Sequence, residues 1–207
     1  EHDTQVQEST STDGKYAEYE APRSIRRHAA ALDAILADVK VCDPAVGSGA
    51  FPVGVMQEIV QARRVLDTYI DDDTDRSAYG LKRHAIQHSL HGVDIEPRAI
   101  DIARLRLWLS LVVDEEDFGQ IQPLPNLRYK IVQGDALQQM ERHVFNNEKE
   151  DRLHRLMAEY VETAHPSDKE KLQSKIDSLL DDLLDDDEFD FRLYFGEVWE
   201  AQGGFDL

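Results

Sequence analysis

Apolar positions with helical spacing alternate along the chain with short runs rich in β-branched residues. From Pro22 to Asp38 the apolar side chains recur at three- and four-residue steps, which predicts a helix with one buried stripe. The next run, VKVCD, predicts a strand because β-branched residues are frequent in it and a glycine-rich segment follows. The same criteria predict strands over 39–43, 91–95 and 126–137 and helices over 22–38, 51–69, 81–90 and 100–113. This alternation predicts an α/β fold with a doubly wound parallel sheet.

Residues 141–188 interrupt the alternation with two helical stretches that are separated by the segment 165–168. Ser167 and Glu170 have the spacing of a capping box, which predicts the start of the second helix. Five apolar residues of that helix share one face, namely Leu172, Ile176, Leu179, Leu180 and Leu183. We therefore expect a helical hairpin that is inserted in the sheet and packs there or contacts a further domain.

The remaining segments complete a four-part organisation. Residues 189–195 fit a strand or a loop, and residues 203–207 fit the start of a fourth sheet strand. The helix over 100–113 is apolar on most sides and is expected to be well buried. The expected parts are a flexible N terminus (1–20), an α/β core (21–140), a helical insertion (141–188) and a return to the sheet (189–207).

The composition limits the cellular compartments and the kinds of binding site that are expected for the protein. The hydrophobic content of 41% is ordinary for a globular domain, and no apolar run approaches the roughly 18 residues that span a bilayer. Cys42 is the only cysteine, so one chain cannot build a disulfide framework or a cysteine-based zinc site. We expect a soluble, cytoplasmic protein with no membrane partner and no bound metal.

The net charge of −19 bears on possible partners. A protein that grips DNA usually replaces phosphate counterions with a stripe of lysine and arginine. This chain alone is therefore expected to bind DNA poorly, either because DNA is not a partner or because the basic segments lie elsewhere in a longer protein. The aspartate-rich composition is also typical of proteins that stay soluble in high salt, although an ordinary acidic surface gives the same pattern.

Each of the three predicted core strands ends in an acidic residue: Asp43, Asp94 and Asp135. In a parallel sheet of this type, ligands bind at the carboxyl ends of the strands, where the strand order reverses. Gly47 and Gly49 follow the first acid and permit tight turns and close approach of the backbone to a ligand. One acid at a strand end is often only a helix cap, but three at successive strand ends are hard to obtain by chance.

Three ligand classes compete for the glycine-rich loop. A phosphate-binding P-loop needs G-x-x-x-x-G-K-[S/T], and no segment of the chain matches that pattern, which excludes ATP bound in this way. A dinucleotide fingerprint needs G-x-G-x-x-G, but Pro52 stands at the third glycine position, which disfavours NAD. S-adenosylmethionine has no phosphates and needs acids for its ribose hydroxyls, its adenine amino group and its methionine ammonium. The three strand-end acids match that need best.

The segment DPAVGSGAF (43–51) resembles the D-P-A-x-G-S-G-x-F signature of the N6-adenine-specific DNA methyltransferases. The segments at 92–111 and 129–137 are similar to the second and third cofactor motifs of these enzymes. The resemblance covers residues 20–207, and the long inserted helices resemble those of type IIG restriction-modification and phage-defence methylases. It implies a Rossmann-like S-adenosylmethionine-dependent methyltransferase fold, with S-adenosyl-L-methionine as cofactor and DNA as the partner of the whole protein.

The same resemblance implies a role for each motif. Asp43 and the backbone of the glycine-rich loop would hold the methionine moiety. Asp94 would accept hydrogen bonds from the ribose hydroxyls, and Ile95 would lie against the adenine ring. Asp135 would accept from the adenine amino group, and the two residues after it would line the pocket. The implied cofactor residues are Asp43, Pro44, Ala45, Gly47, Gly49, Phe51, Asp94, Ile95, Asp135, Ala136 and Leu137.

The catalytic motif of the family, N-P-P-Y or a close variant, has no counterpart among these 207 residues. In the family it follows a strand of the F-D-L type, and the sequence ends at Phe205, Asp206 and Leu207. That motif positions the target amino group and stacks on the flipped base. We therefore expect this fragment to lack catalytic residues and to be inactive alone. A noncatalytic interaction module and a methyltransferase acting on RNA or protein are the alternatives.

Other reactive side chains have simpler explanations. His84, His88 and His91 lack the carboxylate partners of a metal motif and are expected to be core or surface histidines. Cys42 lies within a predicted strand with no base nearby in sequence, so a buried and inert thiol is expected. Trp108 is expected in the core.

Overall fold

The computed structural model describes residues 21–70, 76–113, 127–138, 147–163, 165–184 and 189–207. Its helices are α1 (Arg23–Arg27), α2 (Ala29–Asp38), α3 (Ala50–Asp67), α4 (Ala78–His88), α5 (Pro97–Val112), α6 (Asn147–Glu162), α7 (Pro166–Leu183), α8 (Phe191–Tyr194) and α9 (Gly196–Gln202). Its strands are β1 (Val41–Asp43), β2 (Leu90–Asp94) and β3 (Ile131–Gln133). The predicted flexible N terminus and the first residues of the predicted insertion, 141–146, lie outside this description.

The three strands form one parallel sheet in the order β1-β2-β3. Asp43 at the end of β1 pairs with Gly92, and Asp94 at the end of β2 pairs with Gln133. At the carboxyl edge β2 therefore extends two residues beyond β1, and β3 ends level with β2. The chain is a mixed helix and strand protein with a small parallel sheet, as the alternating pattern predicts.

Residues 205–207 lie beside β1 on the side away from β2. The backbone N–H of Asp206 donates to the Lys40 carbonyl at 2.8 Å, and the N–H of Cys42 donates to the Leu207 carbonyl at 2.8 Å. The N–H of Val41, in contrast, donates to Ser89 on the β2 side at 2.8 Å. The predicted fourth strand thus runs parallel to β1, although it is too short for a regular ladder. Including it, the strand order becomes β3-β2-β1 followed by 205–207.

Helices cover both faces of the sheet. Adjacent residues of β3 point to opposite faces, and Ile131 packs with α3, α4 and α5 whereas Val132 packs with Phe195 and Val198. The first cluster includes the fully buried Met56 of α3 and Leu107 of α5. Burial on both faces explains why the β2 residues from Leu90 to Val93 are all buried.

The predicted helical hairpin is present as α6 and α7, which pack against each other. Leu172, Ile176 and Leu180 of α7 are buried, so the predicted apolar face is confirmed. The predicted capping box is wrong, because α7 begins at Pro166 with His165 at its N-cap, and Ser167 lies within the first turn. Proline suits the first helical position because an N–H at that position would have no partner within the helix, and this preference places the start of α7 at Pro166.

Two other sequence predictions need correction. Helix α5 is not buried on most sides, because Ile102, Leu105 and Leu109 on its outer side are about half exposed. A helix that lies against one sheet face buries a single stripe, whatever the polarity of its other residues. The segment 189–195 is largely the short helix α8, which begins after Asp190 accepts hydrogen bonds from the N–H groups of Arg192 and Leu193. Within the described ranges, no helix is long and apolar enough to cross a bilayer.

Candidate functional site

The glycine-rich loop joins the end of β1 to the start of α3. Gly47 and Gly49 have φ angles of +51° and +80°, in the left-handed region that favours glycine. A Cβ atom on Gly49 would lie 2.9 Å from the Cα of Ala103, so the missing side chain also lets α3 approach α5. These φ angles confirm the predicted tight turn, and the predicted close approach of the loop to a ligand stays a prediction.

Asp94 connects the end of β2 to this loop. Its Oδ2 accepts a hydrogen bond from the N–H of Gly47 at 2.7 Å, and its Oδ1 accepts from the N–H of Glu96 at 2.9 Å. The N-cap of α5 is Glu96, whose Oε1 accepts from the N–H of Arg98 at 3.3 Å. Asp94 is therefore not the helix cap. Its carboxylate lies between two strand-end loops, and each oxygen has a further lone pair available.

All three strand-end acids share one local arrangement. Asp43 accepts from the N–H of Ala45 at 3.1 Å, and Asp135 accepts from the N–H of Leu137 at 3.0 Å. Asp94 makes the same contact to the residue two positions on. Each carboxylate thus organises the turn that leaves its own strand. Asp94 lies two residues beyond the register partner of Asp43, and Asp135 lies two residues beyond that of Asp94. The acids therefore form a staggered row in which each is shifted by about 7 Å along the strand direction.

Several of the sequence-predicted apolar residues are exposed at this edge. Phe51 is 49% exposed, Ile95 is 68% exposed and Leu137 is 94% exposed. Pro44 and Ala45 are also exposed, whereas Ala136 is partly buried. Large apolar side chains grouped at one edge are typical of an open ligand site. The structure therefore brings the loop and Asp94 into direct contact and leaves the neighbouring apolar residues accessible.

Sequence reasoning missed two contacts that support this edge. The guanidinium of Arg104 donates to the Ile131 carbonyl at 2.6 Å and to the Arg128 carbonyl at 3.0 Å, which fixes the start of β3. Arg106 donates to Ser48 Oγ in the glycine-rich loop at 3.1 Å. Only the positions of these arginines on α5 could have suggested such roles. Trp108, two residues after Arg106, is half-buried and lines a small cleft, so the expectation of a core tryptophan is only partly met.

The other reactive side chains lie away from the strand-end acids, except for Cys42. Burial, together with the neighbouring charge of Asp43, raises the pKa of the Cys42 thiol to about 12, which agrees with an inert thiol. The rings of His84 and His88 lie 4.6 Å apart. Burial and, to a smaller extent, the charge of His88 lower the pKa of His84 to about 4. Among the described residues, no group of three or more potential ligands could hold a metal ion.

A buried polar cluster lies on the opposite side of β2 from the α3–α5 core. His91 is 1% exposed, and its Nε2 lies 3.0 Å from the ammonium of Lys130. That ammonium also donates to Glu197 of α9 at 2.7 Å. The ring of His91 contacts the rings of Phe195 and Phe205 with centroids 5.1 Å apart. These contacts attach α9 and residues 205–207 to the sheet.

Fold and site together define an α/β protein that carries a glycine-rich loop and a row of acids at the carboxyl edge of its parallel sheet. The family model of the Eco57I restriction-modification methylases matches residues 88–207. The chain belongs to this family, which agrees with the resemblance seen in its motifs.

A similar protein supports the assignment. This chain is 35% identical, over 103 residues or 48% of its length, to a candidate type II restriction enzyme and methyltransferase of Methanocaldococcus jannaschii. The match spans 8% of the length of that relative, so this chain corresponds to a small part of it. No solved structure matches the chain significantly.

Proposed function

We propose that the chain is the S-adenosylmethionine-binding part of a site-specific DNA methyltransferase that modifies the N6 amino group of adenine. The parent protein would act in a restriction-modification or phage-defence system, in the cytoplasm. The observation that carries the proposal is the direct bond of 2.7 Å between Asp94 and the Gly47 N–H, which joins the acid of the second motif to the glycine loop of the first. Membership of a methylase family supports the same conclusion.

The shape of the sheet edge supports the choice of cofactor. With residues 205–207 beside β1, the strand order is that of one half of a doubly wound Rossmann-like sheet, and the reversal point lies at the end of β1. The glycine-rich loop begins at that point. A small ligand with a charged amino acid end and a purine end would extend along the staggered acids from β1 towards β3.

Each acid is proposed to meet one part of the cofactor. Asp43 and the loop backbone over 44–51 would hold the methionine moiety, and the ammonium would provide a charged partner for the carboxylate. Asp94 would accept from the ribose hydroxyls while it continues to hold Gly47. Ile95 would cover one face of the adenine ring. Asp135 would accept from the adenine amino group, next to Ala136 and Leu137.

The four-part organisation remains part of the proposal. Residues 21–140 would form the cofactor-binding core, 141–188 the helical insertion, and 189–207 the return to the sheet. DNA would be gripped by other segments of the parent protein, because the net charge of −19 opposes contact with phosphates. A noncatalytic interaction module would share this fold. A parent protein that showed no methyltransferase activity on DNA would favour that alternative.

Titration calorimetry with S-adenosylhomocysteine, up to millimolar concentrations, tests the cofactor part of the proposal. We expect binding of S-adenosylhomocysteine and none of NAD under the same conditions. Absence of heat from the folded protein would contradict the proposal. For the substrate, DNA incubated with the whole gene product and the cofactor should contain N6-methyladenine at one recognition sequence, and methylation of another base or of RNA would refute adenine specificity.

A further inference from the structure

A cleft of about 680 Å³ opens at the carboxyl ends of β2 and β3. One part of its lining comes from the sheet edge and includes Ile95 and Asp135. Another part comes from the helices beyond the core and includes Asp177 and Leu180 of α7 and Tyr194 of α8. The volume is within the range of small-molecule pockets. The sheet edge and the helices α7 and α8, which are distant in sequence, therefore line one cleft that is large enough for a small molecule.

Asp177 attaches α7 to the chain segment that leads into β3. Its Oδ1 accepts from the Tyr129 hydroxyl at 2.9 Å, and its Oδ2 accepts from Arg128 at 3.1 Å. Tyr129 is 8% exposed and packs with the apolar residues of α6 and α7. The buried Tyr129 holds the Asp177 carboxylate, which is itself 37% exposed, and so fixes α7 at the sheet edge as one wall of the cleft.

Phe189 attaches the next segment to the same edge. A Cβ atom on Gly134 would collide with the ring of Phe189, so the ring packs directly on the backbone beside Asp135. The ring of Tyr194 stacks on Phe189 with centroids 5.2 Å apart and an angle of 18° between the planes. Tyr194 is thereby held beside Gly134, the residue immediately before Asp135.

The lining residues have the chemistry that a purine requires. Leu180, 7% exposed at the edge of the α6–α7 core, contributes a small apolar surface to the cleft. The Tyr194 hydroxyl can donate to or accept from the polar edge of a base. Burial, and then the charges of Asp177 and Asp181, raise the pKa of Tyr194, so its hydroxyl keeps its proton. Of the proposed cofactor residues, only Ile95 and Asp135, at the adenine end, line the cleft. The glycine-rich loop and Asp94 do not.

We infer that Leu180 and Tyr194 complete the pocket for the adenine end of the cofactor, so that the helical insertion and α8 help to determine selectivity for adenosine. This inference rests on the proposed function, since it presumes a ligand with a purine end. Asp177 acts as a positioning residue through Tyr129 and Arg128. The adenine ring would lie between the sheet edge and the wall that these helices supply.

The test measures binding of S-adenosylhomocysteine and of 5′-methylthioadenosine, which lacks the amino acid end, by calorimetry on the whole chain. Tyr194→Phe should weaken both ligands by about three- to tenfold, because one hydrogen bond to the base is lost. Leu180→Trp should weaken both by about tenfold or more, because the indole fills the cleft. Tyr160→Phe, which removes a hydroxyl from α6 outside this cleft, is the matched control and should bind as the wild type does.

The outcomes separate the two proposals. If the wild type binds S-adenosylhomocysteine and Tyr194→Phe binds both ligands as tightly as the wild type does, the inference is overturned while the proposed function stands. If the folded wild type binds neither ligand, the proposed function fails and the inference fails with it. Thermal melting of each variant identifies loss of folding, and Tyr194→Phe, which keeps the ring and its stacking, decides the test if Leu180→Trp does not fold.

Discussion

The carboxylate of Asp94 accepts a 2.7 Å hydrogen bond from the N–H of Gly47, across 47 residues of sequence. A side chain at the end of one strand thus fixes the backbone of the loop that follows its neighbour. The bond holds a glycine with positive φ in place and sets the distance between the two motifs. Stability and ligand affinity at this edge therefore depend on the same carboxylate.

Asp94→Ala is expected to weaken binding of S-adenosylhomocysteine by roughly ten- to a hundredfold, because charge-assisted bonds to ribose contribute about 1.5–3 kcal/mol. Loss of the bond to Gly47 should also cost about 1 kcal/mol of unfolding free energy. Calorimetry and thermal melting measure the two effects separately. Asp168→Ala, an exposed acid in α7, serves as the control and should change neither quantity by much. Unchanged affinity in Asp94→Ala would mean that this carboxylate only supports the loop.

Three glycines should respond differently to alanine. Gly49→Ala should destabilise the chain by roughly 2–5 kcal/mol, because a positive φ and a contact of 2.9 Å to Ala103 are both unfavourable. Gly203→Ala shares the positive φ but meets nothing within 4 Å, so about 1 kcal/mol is expected. Gly54→Ala, inside α3 with open space around it, should stabilise the helix by about 0.5–1 kcal/mol. Denaturant unfolding measures all three, and an equal cost at Gly49 and Gly203 would show that the α3–α5 contact is not tight.

Acid should destabilise the fold through His91. Burial lowers the pKa of this histidine to about 4, below its ordinary value of 6.5, so the unfolded chain binds more protons between these pH values. Unfolding free energy should therefore fall as the pH decreases from about 6.5 to about 4, by up to about 3 kcal/mol from this one group. His91→Leu should reduce that dependence, whereas the exposed His165→Gln should leave it unchanged. An identical pH profile for the wild type and His91→Leu would show that the histidine is solvated.

The chain alone should bind duplex DNA more weakly than about 10⁻⁴ M at moderate salt, because its net charge of −19 repels phosphates. Fluorescence anisotropy with a labelled duplex at several salt concentrations measures this. The whole gene product should bind the same duplex with a marked salt dependence. Tight, salt-resistant binding by the isolated chain would contradict the charge argument.

The sequence predicted the strands and their acids because β-branched residues precede each acid and the loop needs glycine at positive φ. Those requirements are local, so VKVCD followed by PAVGSGA indicates both the strand and the turn. The contact between Phe189 and Gly134 is different in kind. It joins residues from separate segments, and no spacing of apolar residues identifies which aromatic ring covers which glycine.

The errors have physical reasons of the same type. The outer side of α5 also carries Ile102, Leu105 and Leu109, so the apolar pattern could not reveal that only one stripe faces the sheet. In α7 the local rules conflicted, since Pro166 and the pair Ser167 and Glu170 each mark a helix start, and the proline set the boundary. Arg104 satisfies backbone carbonyls at the start of β3, and that role depends on how the helix crosses the sheet.

The pairing of residues 205–207 with β1 has a consequence for how the protein folds. Lys40 and Asp206 are 166 residues apart in sequence, so this edge of the sheet forms only after a long loop has closed. On the ribosome, β1 emerges early and one of its edges stays without a partner until the segment beside it has been made. An unpaired parallel edge is a template for association with other chains. Synthesis of this protein therefore includes an interval in which this edge of β1 is open to association with other chains.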